Sequence, residues 1–435
     1  MKEPLRIALA GLGTVGTGVI RLFEANRQMI EARAGRPLKI VAVSARDRGR
    51  DRGVELSAYD WYDDMGEMAA LPQVDAVVEL VGGSDGPALA LARKTLEAGK
   101  ALVTANKAMI AHHGLSLAKT AAANGTSLKF EAAVAGGIPV VKGLREGAAA
   151  NAIERIYGIL NGTSNYILSA MEETGADFAQ MLSDAQELGY AEADPTFDIE
   201  GVDAAHKLAI LAAIAFGCRI DFDAVKTQGI SDVRAADIRQ AAALGYVVRL
   251  IGMADTEMQD DTCKLFQEVR PCLVAKSHPL AAVSGATNAV VTEGNFSGRL
   301  LFQGAGAGDG PTASAVVADI IDLARGERSA PFSVPVEELV EMPPADTGDR
   351  LGRTYLRFTV TDRPGVMAEI TAAMRDADVS IESLIQEGRS REGRDVLVAM
   401  VTHEGPERSV EQALRLLSGS ESLTAPPLVM PILQD

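Results

Sequence analysis

Apolar residues run without a break over RIALA (6–10), give way to GLGTVG, and then recur as Val15, Val19 and Leu22 at helical spacing. A short apolar run, a glycine turn and a helix-period face predict strand, turn and helix. The alternation continues with strand-like LKIVAVSA (38–45) and VDAVVELVGG (74–83), a helix over 87–98, strand-like KALVTANKAMI (100–110), another helix, and strand-like SLKFEAAVAGGIPV (127–140). Apolar strands alternating with helices predict an α/β domain with a mostly parallel, doubly wound sheet, whose ligands lie beyond the strand C-termini.

Past residue 150 the pattern changes. A strand leads into the Asn161-Gly162 turn and a helix capped by Thr163; a helix spans 177–188, a loop carries Pro195 and Gly201, and an apolar helix starts near 202. In 304–326 Pro311 lies early in a helix that Gly326 ends. Residues 327–349 are rich in proline and acids and read as a linker. From there strand, helix, strand, strand, helix and a short strand near 428–433 fit a ferredoxin-like unit.

The composition adds exclusions. The chain has 435 residues, 47% of them hydrophobic, and a formal charge of −17, a field that opposes nucleic acid and anionic membrane and favours small-molecule partners. Its three cysteines are widely spaced and form no metal-ligand pattern, which fits a reducing cytoplasm. The apolar run at the N-terminus is too short for a membrane span.

The chemistry begins at GLGTVG. Gly11 permits a tight turn, Gly13 lets a pyrophosphate approach the backbone, Gly16 allows close helix–strand packing, and Thr14 and Val15 open the helix whose N-terminus favours anions. At the tip of the second strand, Arg46 favours the 2′-phosphate of NADP, while Asp47 is the residue an NAD ribose would use. Lys107 follows another strand, either as a group reaching cofactor and substrate or as a solvated lysine at a helix start.

The stretch EADPTFDIEGVDAAHK (192–207) gathers Glu192, Asp194, Asp198 and Asp203 ahead of Lys207. Asp203 and Lys207 share a helix face, where an exposed pair contributes only about 0.3–0.5 kcal/mol. The helix continues LAILAAIAFG, so that face is buried, and a buried ammonium requires partners or a lowered pKa. Such a lysine suits proton transfer.

The run Ala185, Gly189, Tyr190, Ala191, Asp194, Pro195, Asp198, Ile199, Gly201, Asp203, Lys207 resembles the signature of homoserine dehydrogenases. The similarity extends in order through GLGTVG, VVELVGG, VTANKA, EAAVAGGIP, NGTSNYI and GAGAGDGPTASAVVAD, over residues 5–330. The resemblance implies NAD(P)-dependent interconversion of L-homoserine and L-aspartate 4-semialdehyde on the route to threonine and methionine; Arg46 adds the expectation that NADP is preferred. Lys207 would exchange the proton, oriented by Asp203, and Lys107 would lie between nicotinamide and substrate. Glu192 would bind the substrate amine, and Gly162, Thr163, Tyr190 and Asp198 would line the pocket, with Gly308 near the nicotinamide. A monovalent cation such as sodium would be held by Glu131 with Val134, Gly136 and Ile138, although that turn forms equally well without an ion.

DRPGVMAEI (362–370) resembles ACT regulatory domains, in which Asp362 and Gly365 would border an amino-acid effector, threonine being the first expectation. The alternative is an ACT domain that serves dimerisation alone. The expected layout is therefore a Rossmann-like dinucleotide-binding domain over 1–135, rejoined by 305–330, and an α+β catalytic and dimerisation domain over 136–304. A linker over 331–349 and an ACT domain over 350–435 complete it, in a homodimer or homotetramer.

Overall fold

The computed structural model describes residues 3–387 and 395–434. Its first unit runs β1 (Leu5–Ala10), α1 (Thr14–Ala34), β2 (Leu38–Ser44), β3 (Asp60–Trp61), β4 (Ala76–Glu79), α2 (Pro87–Glu97), β5 (Ala101–Thr104), α3 (Lys107–Ala123) and β6 (Leu128–Lys129). The six strands are parallel in the order β3-β2-β1-β4-β5-β6, the doubly wound arrangement that leaves a crevice where the order reverses between β1 and β4. Both faces are covered by helices, so the strand centres are mostly apolar.

Three expected strands are shorter than their apolar runs. VDAVVELVGG pairs only over β4, because Gly82 and Gly83 adopt φ of 86° and 88° and turn the chain away. KALVTANKAMI is divided by Asn106, which caps α3 by accepting from the Met109 amide, so Lys107 is a first-turn helical residue. SLKFEAAVAGGIPV keeps only β6 as strand; the rest is a short helical turn followed by positive φ at Ala135 and Gly136.

The second unit contains β7 (Ile153–Ile159), α4 (Gly162–Thr174), α5 (Phe178–Glu187), α6 (Val202–Phe216), β8 (Lys226–Thr227), α7 (Ala235–Ala243), β9 (Tyr246–Gln259), β10 (Thr262–Ala275), β11 (Thr287–Gly294) and β12 (Gly298–Ala305). Its sheet has the order β12-β11-β7-β9-β10-β8, antiparallel except where β8 joins β10. Helix α6 is buried on nearly every side and packs on β7, β9 and β10.

The chain then returns to the first sheet. Helix α8 (Asp309–Arg325) packs on α1, and Gly18 makes this possible, since a Cβ there would lie 2.9 Å from the Asp309 carbonyl oxygen. The outgoing and returning connections run side by side: Gly137 N–H donates to the Ala305 carbonyl at 3.1 Å, and a Cβ on Gly136 would lie 2.5 Å from the Gly306 oxygen.

Residues 327–349 lie along the second unit, with Phe332 buried and bridges from Val340 to Cys218 and from Pro344 to Leu265. After them come β13 (Leu351–Gly352), β14 (Thr354–Thr361), α9 (Val366–Asp376), β15 (Ile381–Glu387), β16 (Asp395–Thr402), β17 (Gly405–Pro406), α10 (Glu407–Leu417) and β18 (Leu423–Pro431). The antiparallel order β15-β16-β14-β18 is the ferredoxin-like one. The sheet face opposite its helices docks on α7. There Arg357 Nε donates to Asp237 Oδ1 at 3.0 Å, and Tyr355 Oη donates to the same oxygen at 2.9 Å, all three residues being buried.

Candidate active site

The mouth of the first sheet and the N-terminal ends of α4 and α6 enclose a cavity of about 810 Å³. Of the residues singled out in the sequence, Val15, Lys107, Gly136, Gly162, Thr163, Tyr190, Glu192, Asp198, Asp203, Lys207 and Gly308 line it. The cofactor side and the EADPTFDIEGVDAAHK side thus face one space.

At its floor is a compact charge cluster. Lys207 Nζ donates to Asp203 Oδ2 and to the Leu160 carbonyl, both at 2.7 Å, and its side chain is 10% exposed. Lys107 Nζ reaches the other Asp203 oxygen at 2.9 Å across the domain boundary and stays 35% exposed toward the cavity. Burial pushes Asp203 upward, but the two ammonium groups and their hydrogen bonds outweigh it and hold the carboxyl well below its usual range. Burial lowers the Lys207 ammonium, with Lys107 adding repulsion, against the pull of Asp203. Lys107 stands the other way: burial lowers it less than the attraction of Asp203 raises it. One lysine is thereby disposed to give up its proton and the other to keep it.

Asn161, which the sequence reading passed over, caps α4 in place of the expected Thr163. Its Oδ1 accepts from the Ser164 amide at 2.8 Å, while Nδ2 donates to Asp198 Oδ1 and Asp203 Oδ2, each at 2.8 Å. Thr163 instead donates to the Tyr190 carbonyl at 2.7 Å and so ties the 189–194 loop to α4. Burial and the charge of Asp203 push Asp198 above the ordinary carboxylate range. Asn288, also unpredicted, donates to the Leu160 carbonyl at 2.8 Å, the same oxygen that takes Lys207. Behind this cluster His206 stacks on Phe222 with centroids 4.2 Å apart, and burial, then His112, push it down to about 4.

On the cofactor side Gly11 has φ of 99°, and a Cβ on Gly16 would lie 2.0 Å from the Gly11 oxygen, so both must be glycine. A Cβ on Gly13 would meet nothing within 4 Å, and no acidic residue occupies the first turn of α1. That open, amide-lined approach fits a dinucleotide pyrophosphate. The turn after β4 is held by buried Glu79, which accepts from the Val81 and Gly82 amides at 2.7 and 3.2 Å and from Thr104 Oγ1 at 2.6 Å. A lone acid inside an apolar strand was its only sequence signal. Arg46 is exposed beyond β2, while Arg52 turns back to donate to the Leu12 carbonyl at 3.2 Å.

Glu131 is buried and accepts from the Val141 and Lys142 amides at 3.1 and 2.9 Å. Burial, then the charge of Asp319, push it up to about 7. In the C-terminal unit Gly365 has φ of 95° and precedes α9, and Asp362 lies in the same turn after β14.

A parallel sheet with a glycine-cradled crevice, joined to a cavity floored by a carboxylate–lysine cluster, defines an oxidoreductase of the nicotinamide-dependent kind. Family models described as "Homoserine dehydrogenase, NAD binding domain", "Homoserine dehydrogenase" and "ACT domain" match residues 11–131, 139–321 and 354–418. The homoserine dehydrogenase of Pseudomonas aeruginosa is 41% identical over 433 residues, covering 98% of each chain, and that of Corynebacterium glutamicum is 40% identical over 423. The crystal structure of a homoserine dehydrogenase from Thiobacillus denitrificans superposes with a TM-score of 0.91 at 39% identity, covering 99% of both chains. A hyperthermophilic archaeal homoserine dehydrogenase in complex with NADPH matches 75% of this chain over its whole length, with 25% identity and a TM-score of 0.64. The chain belongs to the homoserine dehydrogenase family and carries a C-terminal ACT domain.

Proposed function

We propose that homoserine and aspartate 4-semialdehyde are handled in the 810 Å³ cavity with Lys207 as the group that exchanges the proton. The observation that carries this reading is the Lys207 Nζ, buried at the cavity floor between Asp203 and the Leu160 carbonyl with a lowered pKa. A bound nicotinamide supplies the hydride acceptor or donor. In the oxidation, neutral Lys207 takes the hydroxyl proton; in the reduction, its ammonium stabilises the developing alkoxide and returns the proton to it. Lys107, kept protonated, steadies Asp203 and faces the reacting oxygen. Glu192 and Asp198 receive the substrate ammonium, and Gly162, Thr163 and Tyr190 shape the pocket around it.

The remaining assignments belong to the same proposal. Gly11, Gly13, Thr14, Val15, Gly16 and Gly308 cradle the dinucleotide, and Arg46 meets a 2′-phosphate, giving preference for NADP over NAD. The archaeal relative in complex with NADPH is consistent with that choice. Glu131, with the carbonyls of Val134, Gly136 and Ile138, suits a monovalent cation, because a buried carboxyl and backbone carbonyls are hard oxygen donors. The ACT domain takes an amino-acid effector, threonine, at Asp362 and Gly365. The domain limits are 1–135 with 305–330, 136–304, 331–349 and 350–435. Exposed β12, with Phe296 at 90% exposure beside it, supports a homodimer or homotetramer. Among the described residues no helix is long and apolar enough to cross a membrane, and we place the enzyme in the cytoplasm.

Two measurements test this. Homoserine is expected to exceed its deaminated analogue in kcat/KM by about 100-fold or more, because the analogue leaves Glu192 and the half-buried Asp198 without the ammonium they would pair; equal values would exclude the amino-acid pocket. Arg46→Ala is expected to raise the NADPH KM about tenfold and leave that of NADH nearly unchanged. An equal effect on both would remove the NADP assignment.

A further inference from the structure

Asn161 holds an unusual position. Its amide oxygen is occupied by the Ser164 N–H, so the orientation of the group is fixed: the nitrogen must face the two carboxylates, one hydrogen for each. The residue is 4% exposed, and the acids it joins come from a short helical turn and a helix 37 and 42 residues further along the chain. Two carboxylates this close repel unless something positive lies between them. The lysines pair with Asp203, one on each oxygen, and neither forms an ion pair with Asp198. Asn161 Nδ2 donates to it at 2.8 Å, the largest of the hydrogen bonds that favour its anion, with the Lys207 charge and the Thr163 hydroxyl adding less.

We propose that Asn161 is a positioning residue for the reaction, a neutral bridge that holds Asp203 aligned on both lysines while keeping Asp198 available as an anion for the substrate ammonium. The proposal rests on the substrate reading given above. It assigns to Asn161 a task beyond capping α4, and Asn is suited to it because serine, threonine and aspartate cap equally well but cannot donate two hydrogen bonds to acids.

Capping and bridging can be separated. Asn161→Ser keeps a capping oxygen and removes both amide donors, whereas Asn161→Ala removes everything. The charged and titratable groups around the bridge are Lys107 and His112 from α3, Asp203, His206 and Lys207 from α6, and Tyr190 and Glu192 from the 189–194 loop; all are unchanged in these variants. For Asn161→Ser the melting temperature and the calorimetric affinity for NADPH are expected to stay near wild type. Its kcat/KM for homoserine is expected to fall roughly 10- to 100-fold, the loss of two charge-assisted bonds, with KM carrying part of the loss. The acidic limb of kcat/KM is expected to move to higher pH, since Asp198 loses the donor that favours its anion.

A readout free of turnover is the titration of carbon-13-labelled aspartate carboxyls, in which the Asp198 midpoint rises in Asn161→Ser. If the serine variant keeps kcat/KM within about twofold and both the acidic limb and the Asp198 midpoint stay put, Asn161 is only a cap and the proposal is overturned. Wild-type turnover of homoserine, measured alongside, judges the substrate reading separately, and the carboxyl titration judges the bridge even where that reading fails.

Discussion

Two of the carboxylates that the protein buries beside cations behave in opposite ways. At the cavity floor Asp203 meets Lys107, Lys207 and Asn161, and its carboxyl is held below the ordinary range. At the seam between the second unit and the ACT sheet, Asp237 meets Arg357 and Tyr355, and burial outweighs their pull, leaving it raised. Two cations against one account for the difference in direction. The choice of cation accounts for the difference in use. An arginine fork stays protonated and fixes geometry, which suits a seam; a lysine whose ammonium is lowered by burial can part with a proton, which suits a reaction. The Asp203 cluster opens on a cavity and the Asp237 cluster is closed, so a buried ion pair becomes chemistry only where one partner can exchange its proton with something that enters.

The comparison breaks first at Lys207. Lys207→Ala is expected to lower kcat for homoserine oxidation by about 10³-fold, within the range for a lost general acid–base, with the melting temperature little changed; near wild-type turnover would remove Lys207 from its role. Next come the two acids. Asp237→Asn leaves Arg357 buried without its anion and is expected to destabilise the fold by about 3–5 kcal/mol, read as a lower melting temperature, while kcat below the transition holds. Asp203→Asn is expected to do the reverse, costing about 10²-fold in kcat with a smaller loss of stability. If both variants lose stability and spare activity alike, the distinction between seam and site fails.

The smallest expected effect is in pH dependence. Oxidation needs neutral Lys207, so kcat rises with pH through a midpoint below the ordinary lysine value of about 10.4. In Asp203→Asn the anion that supports the ammonium is gone and that limb moves to lower pH; in Asp237→Asn it stays. Stability tells the same story by sign. Asp203, depressed in the fold, contributes stability that is present above its unfolded pKa and lost as pH falls through its folded one. Asp237, raised, contributes stability present below its unfolded pKa and lost as pH rises through its folded one. Across roughly pH 3 to 7 the slope of melting temperature against pH should therefore change in opposite senses: Asp203→Asn removes a contribution that grows with pH, and Asp237→Asn removes one that falls with pH.

Much of this was written locally in the chain. Gly11, Gly13 and Gly16 disclosed the dinucleotide turn because each answers to backbone geometry within a few residues. Asp203 and Lys207 disclosed their pairing because helical spacing puts them on one face of a run too apolar to be exposed. Asn161 was not legible, since its partners Asp198 and Asp203 reach it only through the packing of α4 against α6, and a turn with Gly162 already explained an asparagine there. The strand expected over 127–140 failed for a related reason: Val134, Ile138 and Val140 are buried by the crossing of two connections, not by a ladder, and an apolar run cannot tell the two apart.

That crossing governs how the molecule is made. The sheet holding GLGTVG is not finished by the residues that build its strands, because α8, which covers α1, starts only at Asp309, far beyond the last strand of the sheet at Lys129. During synthesis the nucleotide unit must wait, with one flank of α1 uncovered, until the whole of the intervening unit has left the ribosome. An order in which the N-terminal domain completes first is closed to this chain, and its early vulnerability to aggregation falls on the very face that later seats the cofactor domain's last helix.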